Sequence, residues 1–144
     1  YVCKESAPLT RTQYEAIMDG SYDGLIADRH PLVADFRHAL EHRGFRPKVI
    51  VQYTREAYVH EWGDTRITFD KKLSAVVNTV GLFDSWAVSL DVMNDERTIM
   101  EIKYNQFFPE TIRQLAQPAG HQRSTISKYV LCREIALRHH KPLT

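Results

Sequence analysis

The stretch Met100-Glu101-Ile102-Lys103-Tyr104 decides how this chain is read. Side chains alternate along a strand, so Glu101 and Lys103 share one face while Met100, Ile102 and Tyr104 share the other. Thr65-Arg66-Ile67-Thr68-Phe69-Asp70 repeats the arrangement, with Arg66, Thr68 and Asp70 on one side and Ile67 and Phe69 on the other. Two structures satisfy that pattern: strands on a surface with their polar face in water, or strands that wall a polar channel.

Outward from these strands the chain reads as mixed. Lys48 to Glu61 is a long extended stretch rich in Val, Ile and Tyr, and Gly63-Asp64 turns it into the Arg66 strand as an antiparallel hairpin. Trp86, Val88, Leu90 and Val92 alternate as a further strand, with Asn94-Asp95 turning it into the Glu101 strand. Ahead of the hairpin, Thr10-Arg11-Thr12-Gln13 is a capping box opening a short helix that stops at Gly20. After Pro31, Leu32, Val33, Phe36, Ala39 and Leu40 recur at helical spacing up to Gly44. Pro109 starts another helix over Ile112, Leu115 and Ala116, and Ser124 caps a last one running to about Leu137. Helices, then strands, then helices predict an α+β class with an antiparallel sheet.

With 144 residues, 43% of them hydrophobic, residues 1–144 suffice for one domain with a core. A net charge of +1 gives no bulk attraction to nucleic acid or an acidic membrane, so any anion preference is local. No apolar run approaches the roughly 18 residues a membrane span needs, so no membrane insertion by this chain is expected. Cys3 and Cys132 form no CxxC pair and read as reduced thiols in a cytoplasmic setting. The histidines lack zinc spacing, His139-His140 reading as a solvated tail. The isolated glycines exclude a P-loop or dinucleotide fingerprint, and no GxSxG or Ser-His-Asp context is present.

Five residues stand out as carriers of chemistry. Arg55 falls on the alternation face of Val49, Val51, Tyr53, Ala57 and Val59, costly for a guanidinium unless it is paired or at a polar site. A bulge near Thr54 changes that facing, and a snorkelling surface arginine is the plainer alternative. Lys128 lies on a helical stripe with Leu131, Cys132 and Ile135, so its head group reaches into a site or escapes to an edge. Arg66 and Lys103 add two cations, and Glu101 one carboxylate. Gathered in one cavity, such cations suit phosphate oxygens. A lone glutamate among them suits a hard divalent cation, Mg²⁺ or Mn²⁺, bridging to phosphate, as phosphoryl transfer requires. The competing reading is a set of exposed cross-strand ion pairs, Glu101 with Arg66 for example, each worth under about 1 kcal/mol.

Six blocks follow one another along the chain: Lys4-Glu5-Ser6-Ala7-Pro8-Leu9-Thr10, Arg46-Pro47-Lys48-Val49-Ile50-Val51, Tyr53-Thr54-Arg55-Glu56-Ala57-Tyr58, Arg66-Ile67-Thr68-Phe69-Asp70, Glu101-Ile102-Lys103-Tyr104 and Ser127-Lys128-Tyr129. In that order they resemble the VTC (vacuolar transporter chaperone) domain in its bacterial form, a polyphosphate polymerase domain among the triphosphate tunnel metalloenzymes. The resemblance implies an antiparallel β-barrel or tunnel with flanking helices, and transfer of the ATP γ-phosphate to inorganic polyphosphate. Residue by residue it implies that Arg55, Arg66, Lys103 and Lys128 bind phosphate and act in catalysis, that Lys4 joins them in binding, and that Glu101 holds Mn²⁺ or Mg²⁺.

Two departures from the family pattern bear on this expectation. The family's domain opens with earlier helices and a strand bearing a Glu-x-Lys motif, whereas Tyr1 falls after that point. The expectation is therefore a domain lacking its N-terminal portion, with self-association as one way to complete the tunnel. Some relatives also carry a lysine three residues before the position of Lys128, where this chain has Thr125. A triphosphatase on the same scaffold and a noncatalytic polyphosphate- or nucleotide-binding module are the alternatives.

Overall fold

The computed structural model describes residues 4–26, 28, 30–77, 82–84, 87–94, 96–117 and 123–139. The chain divides into two compact units, Tyr1–Lys48 and Val49–Thr144. In the first, helix α1 spans Arg11–Met18 and α2 spans Pro31–His42. The capping box forms as the sequence predicts: Thr10 Oγ1 accepts from the Gln13 amide, and the Gln13 side chain accepts from the Thr10 amide. Gly20 and Gly44, at φ 81° and 66°, follow the two helices in the left-handed conformation that glycine adopts at least cost. Ile17, Leu25, Val33 and Leu40 bury together as the core of this unit, each worth about 1.5–3 kcal/mol of transfer free energy.

The second unit is built on a four-stranded antiparallel sheet. Strand β1 (Ile50–His60) and β2 (Thr65–Val76) form the predicted hairpin, joined through a 3₁₀ turn at Trp62–Asp64. Gly63 is at φ 70°, and a side chain there would run into the Phe107 carbonyl. Both β3 (Ser89–Asp91) and β4 (Ile99–Lys103) pair with β2 at different places along it. They do not form the hairpin with each other that the Asn94-Asp95 turn suggested. Trp86 and Asp95 themselves lie outside the described residues.

The expected barrel is corrected by this arrangement. Among the described residues the sheet has four strands and stays open, whereas even the small closed barrels use about eight. The class is α+β with an antiparallel sheet that, among the described residues, does not close into a barrel.

One irregularity sets the character of the sheet. Between the pairs Gln52↔Ser74 and Thr54↔Lys71, β1 advances two residues while β2 advances three. The extra residue belongs to β2, where Lys72 takes φ 53°. The alternation of β1 is thus unbroken, and Val51, Tyr53 and Arg55 share a face. On β2 the parity switches: Leu73 and Ala75 lie on the same face as Asp70, Thr68 and Arg66. One sheet face is therefore apolar at one end and charged at the other.

Helix α3 covers Glu110–Leu115 and α4 covers Lys128–His139. The last helix begins later than the Ser124 cap predicted. Residues 123–127 carry no regular structure, and Ser127 Oγ accepts from the Val130 amide instead. Helix α4 packs on the two-natured face, with Cys132 buried among Leu73, Ala75 and Ile99 and its thiol donating to the Ser74 carbonyl. Burial pushes the Cys132 thiol pKa up. Among the described residues no helix is long and apolar enough to cross a membrane.

Candidate anion-binding face of the sheet

At the charged end, register does the assembling. Arg55 is directly opposite Asp70, Thr68 is opposite both Ala57 and Glu101, and Arg66 is opposite Lys103. Paired residues of antiparallel strands project from the same face, so Arg55, Asp70, Thr68, Arg66, Glu101 and Lys103 form one patch. Helix α4 adds Lys128 from above, because burial of Cys132 one turn later holds the helix start against the sheet.

Asp70 is the centre of this patch and is fully buried. Its carboxylate takes a bidentate bond from Arg55, Nε to Oδ1 at 2.6 Å and Nη2 to Oδ2 at 2.8 Å. Lys128 Nζ lies 2.8 Å from Oδ2. Both cations also sit over the Tyr53 ring, 5.1 Å and 5.4 Å from its centroid, a favourable cation–π arrangement. The hydrogen bond from Arg55 is the largest influence on Asp70; with that from Lys128 it outweighs desolvation and lowers the carboxyl pKa to about 2. The same bond raises the Arg55 pKa, so this pair stays charged throughout the physiological range.

Glu101 and Lys103 form a second pair, Nζ to Oε1 at 2.9 Å, with 39% and 69% of their side chains exposed. That bond lowers the Glu101 pKa, and Lys128 and Arg55 act in the same direction at longer range. The pair replaces the Glu101–Arg66 contact considered as an alternative. Arg66 is exposed and makes no ion pair among the described residues. Four cations thus face two carboxylates, leaving local positive charge on a chain of near-zero net charge.

Arg55, Arg66, Lys103, Lys128 and Glu101 are therefore brought together, all within the second unit. Lys4 belongs to the first unit, where it is exposed. Asp70, Thr68 and Tyr53 also belong to the patch, beyond the five residues the sequence marks as carriers of chemistry. The available signal for Asp70 and Thr68 was their place beside Arg66 in the alternation of β2. Among the described residues no group of three or more His, Cys, Asp or Glu side chains could hold a metal. Asp70 is engaged by two cations and Glu101 by one, Lys103.

The reverse face of the sheet carries an ion pair of its own, Lys71 Nζ to Glu56 Oε1 at 2.7 Å. Beside it, Tyr58, Ile67, Phe69 and Met100 line a mostly apolar cavity with Ile112 and Leu115 of α3, and His60 and Thr65 supply its polar lining.

A family model described as the VTC domain matches residues 1–137, nearly the whole chain, and the protein belongs to that family. No curated protein and no solved structure matches it.

Proposed function

We propose that this chain is a metal-dependent phosphotransferase domain that moves the γ-phosphate of ATP onto inorganic polyphosphate. The observation that carries the reading is the convergence of Arg55 and Lys128 on buried Asp70, beside Glu101, Lys103 and Arg66. Family membership supports it.

Asp70 orients the cations without exhausting them. Arg55 uses two of its five N–H groups on Asp70, and Lys128 one of three, so each retains donors for phosphate oxygens. Fixing the cations in advance lowers the reorganisation needed when a phosphate chain arrives. Arg66 and Lys103, both exposed, gather further phosphate oxygens by charge. A terminal oxygen of polyphosphate bonds to the γ-phosphorus as the bond to the β–γ bridging oxygen breaks, and ADP leaves. The protein supplies position and positive charge, with no nucleophile of its own.

Glu101 would hold Mn²⁺ or Mg²⁺ as a hard carboxylate ligand once Lys103 is drawn away from it. Such an ion would supply charge neutralisation at the transferring phosphoryl group. The open sheet favours a second reading, a module that holds polyphosphate or nucleotide without turnover.

Incubation with ATP, Mn²⁺ and a short polyphosphate primer tests these readings. The expected products are ADP and longer polyphosphate. ADP and free phosphate without longer polyphosphate mark a triphosphatase, and retention of polyphosphate with ATP untouched marks the binding module.

A further inference from the structure

Thr68 occupies the middle of the charged face, on the central strand between Arg66 and Asp70. It is only 4% exposed, and its buried Oγ1 has no hydrogen-bond partner among the described residues. Native proteins rarely leave a buried hydroxyl in that state, because its hydration is lost with nothing in return. Of the two residues directly opposite it, Ala57 has no side-chain acceptor and Glu101 has a carboxylate. Opposed side chains on one sheet face have Cβ atoms about 5 Å apart, within reach of a hydroxyl-to-carboxylate bond. Glu101 is instead turned to Lys103, which is 69% exposed and held by a surface ion pair of the weak kind. Asp70, the neighbour on the other side, is engaged by Arg55 and Lys128.

We propose that Thr68 becomes the partner of Glu101 in the ligand-bound state. A phosphate chain draws Lys103 to itself, and the Thr68 hydroxyl then donates to the released carboxylate and holds it for the cation. This rests on the function proposed above and makes Thr68 a positioning residue. A threonine suits that place: it restrains the carboxylate without adding a charge that competes for it. Groups that hydrogen-bond a ligating carboxylate typically contribute about 10–100-fold to metal affinity.

The test uses the whole chain with Thr68→Val, which keeps the shape and loses the hydroxyl, and Thr68→Ser, which keeps the hydroxyl. Mn²⁺ binding is titrated calorimetrically with tripolyphosphate present, tripolyphosphate retention is measured in EDTA, and thermal melting is followed without ligand. For Thr68→Val, Mn²⁺ affinity is expected to fall about tenfold or more. Its metal-free retention stays within about twofold, and its melting temperature is unchanged or higher because an unpaired buried hydroxyl has been removed. Thr68→Ser keeps the Mn²⁺ affinity. Wild type that binds Mn²⁺ alongside a Thr68→Val variant that binds it equally overturns this inference alone. So does a Thr68→Val variant that melts lower and loses both kinds of binding together. A wild-type chain that binds neither tripolyphosphate nor Mn²⁺ overturns the proposed function and this inference with it.

Discussion

The Arg55 guanidinium lies edge-on to the buried Asp70 carboxylate, joined by two bonds of 2.6 and 2.8 Å between residues directly opposed on β1 and β2. Backbone pairing therefore sets the alignment, and the side chains need only extend. Lys128 reaches the same carboxylate from the last helix, so a single anion ties two strands to α4.

Asp70→Asn should therefore loosen the second unit. Removing the charge leaves two cations around a neutral amide, and breaking a buried pair on one side commonly costs 3–5 kcal/mol. With Arg55 one-third exposed, about 3 kcal/mol is expected from urea unfolding. A change within about 0.5 kcal/mol, typical of an unremarkable surface site, would show that this carboxylate does not hold the sheet to the helix.

Acid should act through the same group. Its folded pKa of about 2 lies below the ordinary 3.8, so the folded form binds its proton less readily than the unfolded one. The stability this confers is complete above about pH 4 and drains away as pH falls towards 2, amounting to about 2 kcal/mol. Denaturant midpoints measured across that window should fall for wild type, and fall less for Asp70→Asn.

Glu101→Gln separates metal use from anion binding. Mn²⁺-dependent turnover should disappear, while tripolyphosphate retention in EDTA stays equal or strengthens because a negative charge has gone from the face. Parallel loss of both would remove Glu101 from the role of metal ligand.

Arg66→Ala tests the exposed cation. Stability should change by no more than about 0.5 kcal/mol. Tripolyphosphate retention should weaken several-fold at low salt, with the gap to wild type narrowing as salt rises. An equal defect at every ionic strength would speak against simple charge attraction.

Lys72→Gly probes the bulge. Lysine at φ 53° occupies a region glycine enters freely. The substitution should be neutral or raise stability by up to about 1 kcal/mol in thermal melts.

The features legible in the sequence are those whose partners are close along the chain. The Thr10–Gln13 box, the helix after Pro31 and the hairpin at Gly63 each rest on residues a few positions apart, where local geometry decides. The sequence permits a bulge near Thr54 that would turn Arg55; the bulge exists, but its extra residue is on the opposite strand, so Arg55 keeps its side. Nothing in a period-two pattern marks Lys72 as that residue. Asp70 looked like one polar side chain among several on β2, because its two partners come from another strand and from the final helix. The barrel expectation came from family resemblance, and the four strands among the described residues do not close.

The extra residue at Lys72 works as a change of phase in a two-beat rhythm. Ahead of it along β2 the odd-numbered side chains point away from α4; beyond it they point towards the helix. Two opposed demands, a greasy seat for Cys132 and a charged bed for an anion, are met on one continuous ribbon without a second sheet. Between Arg66 and Ala75 the chain can exchange many side chains, but losing or gaining one residue would turn the charged bed onto the wrong side of the sheet.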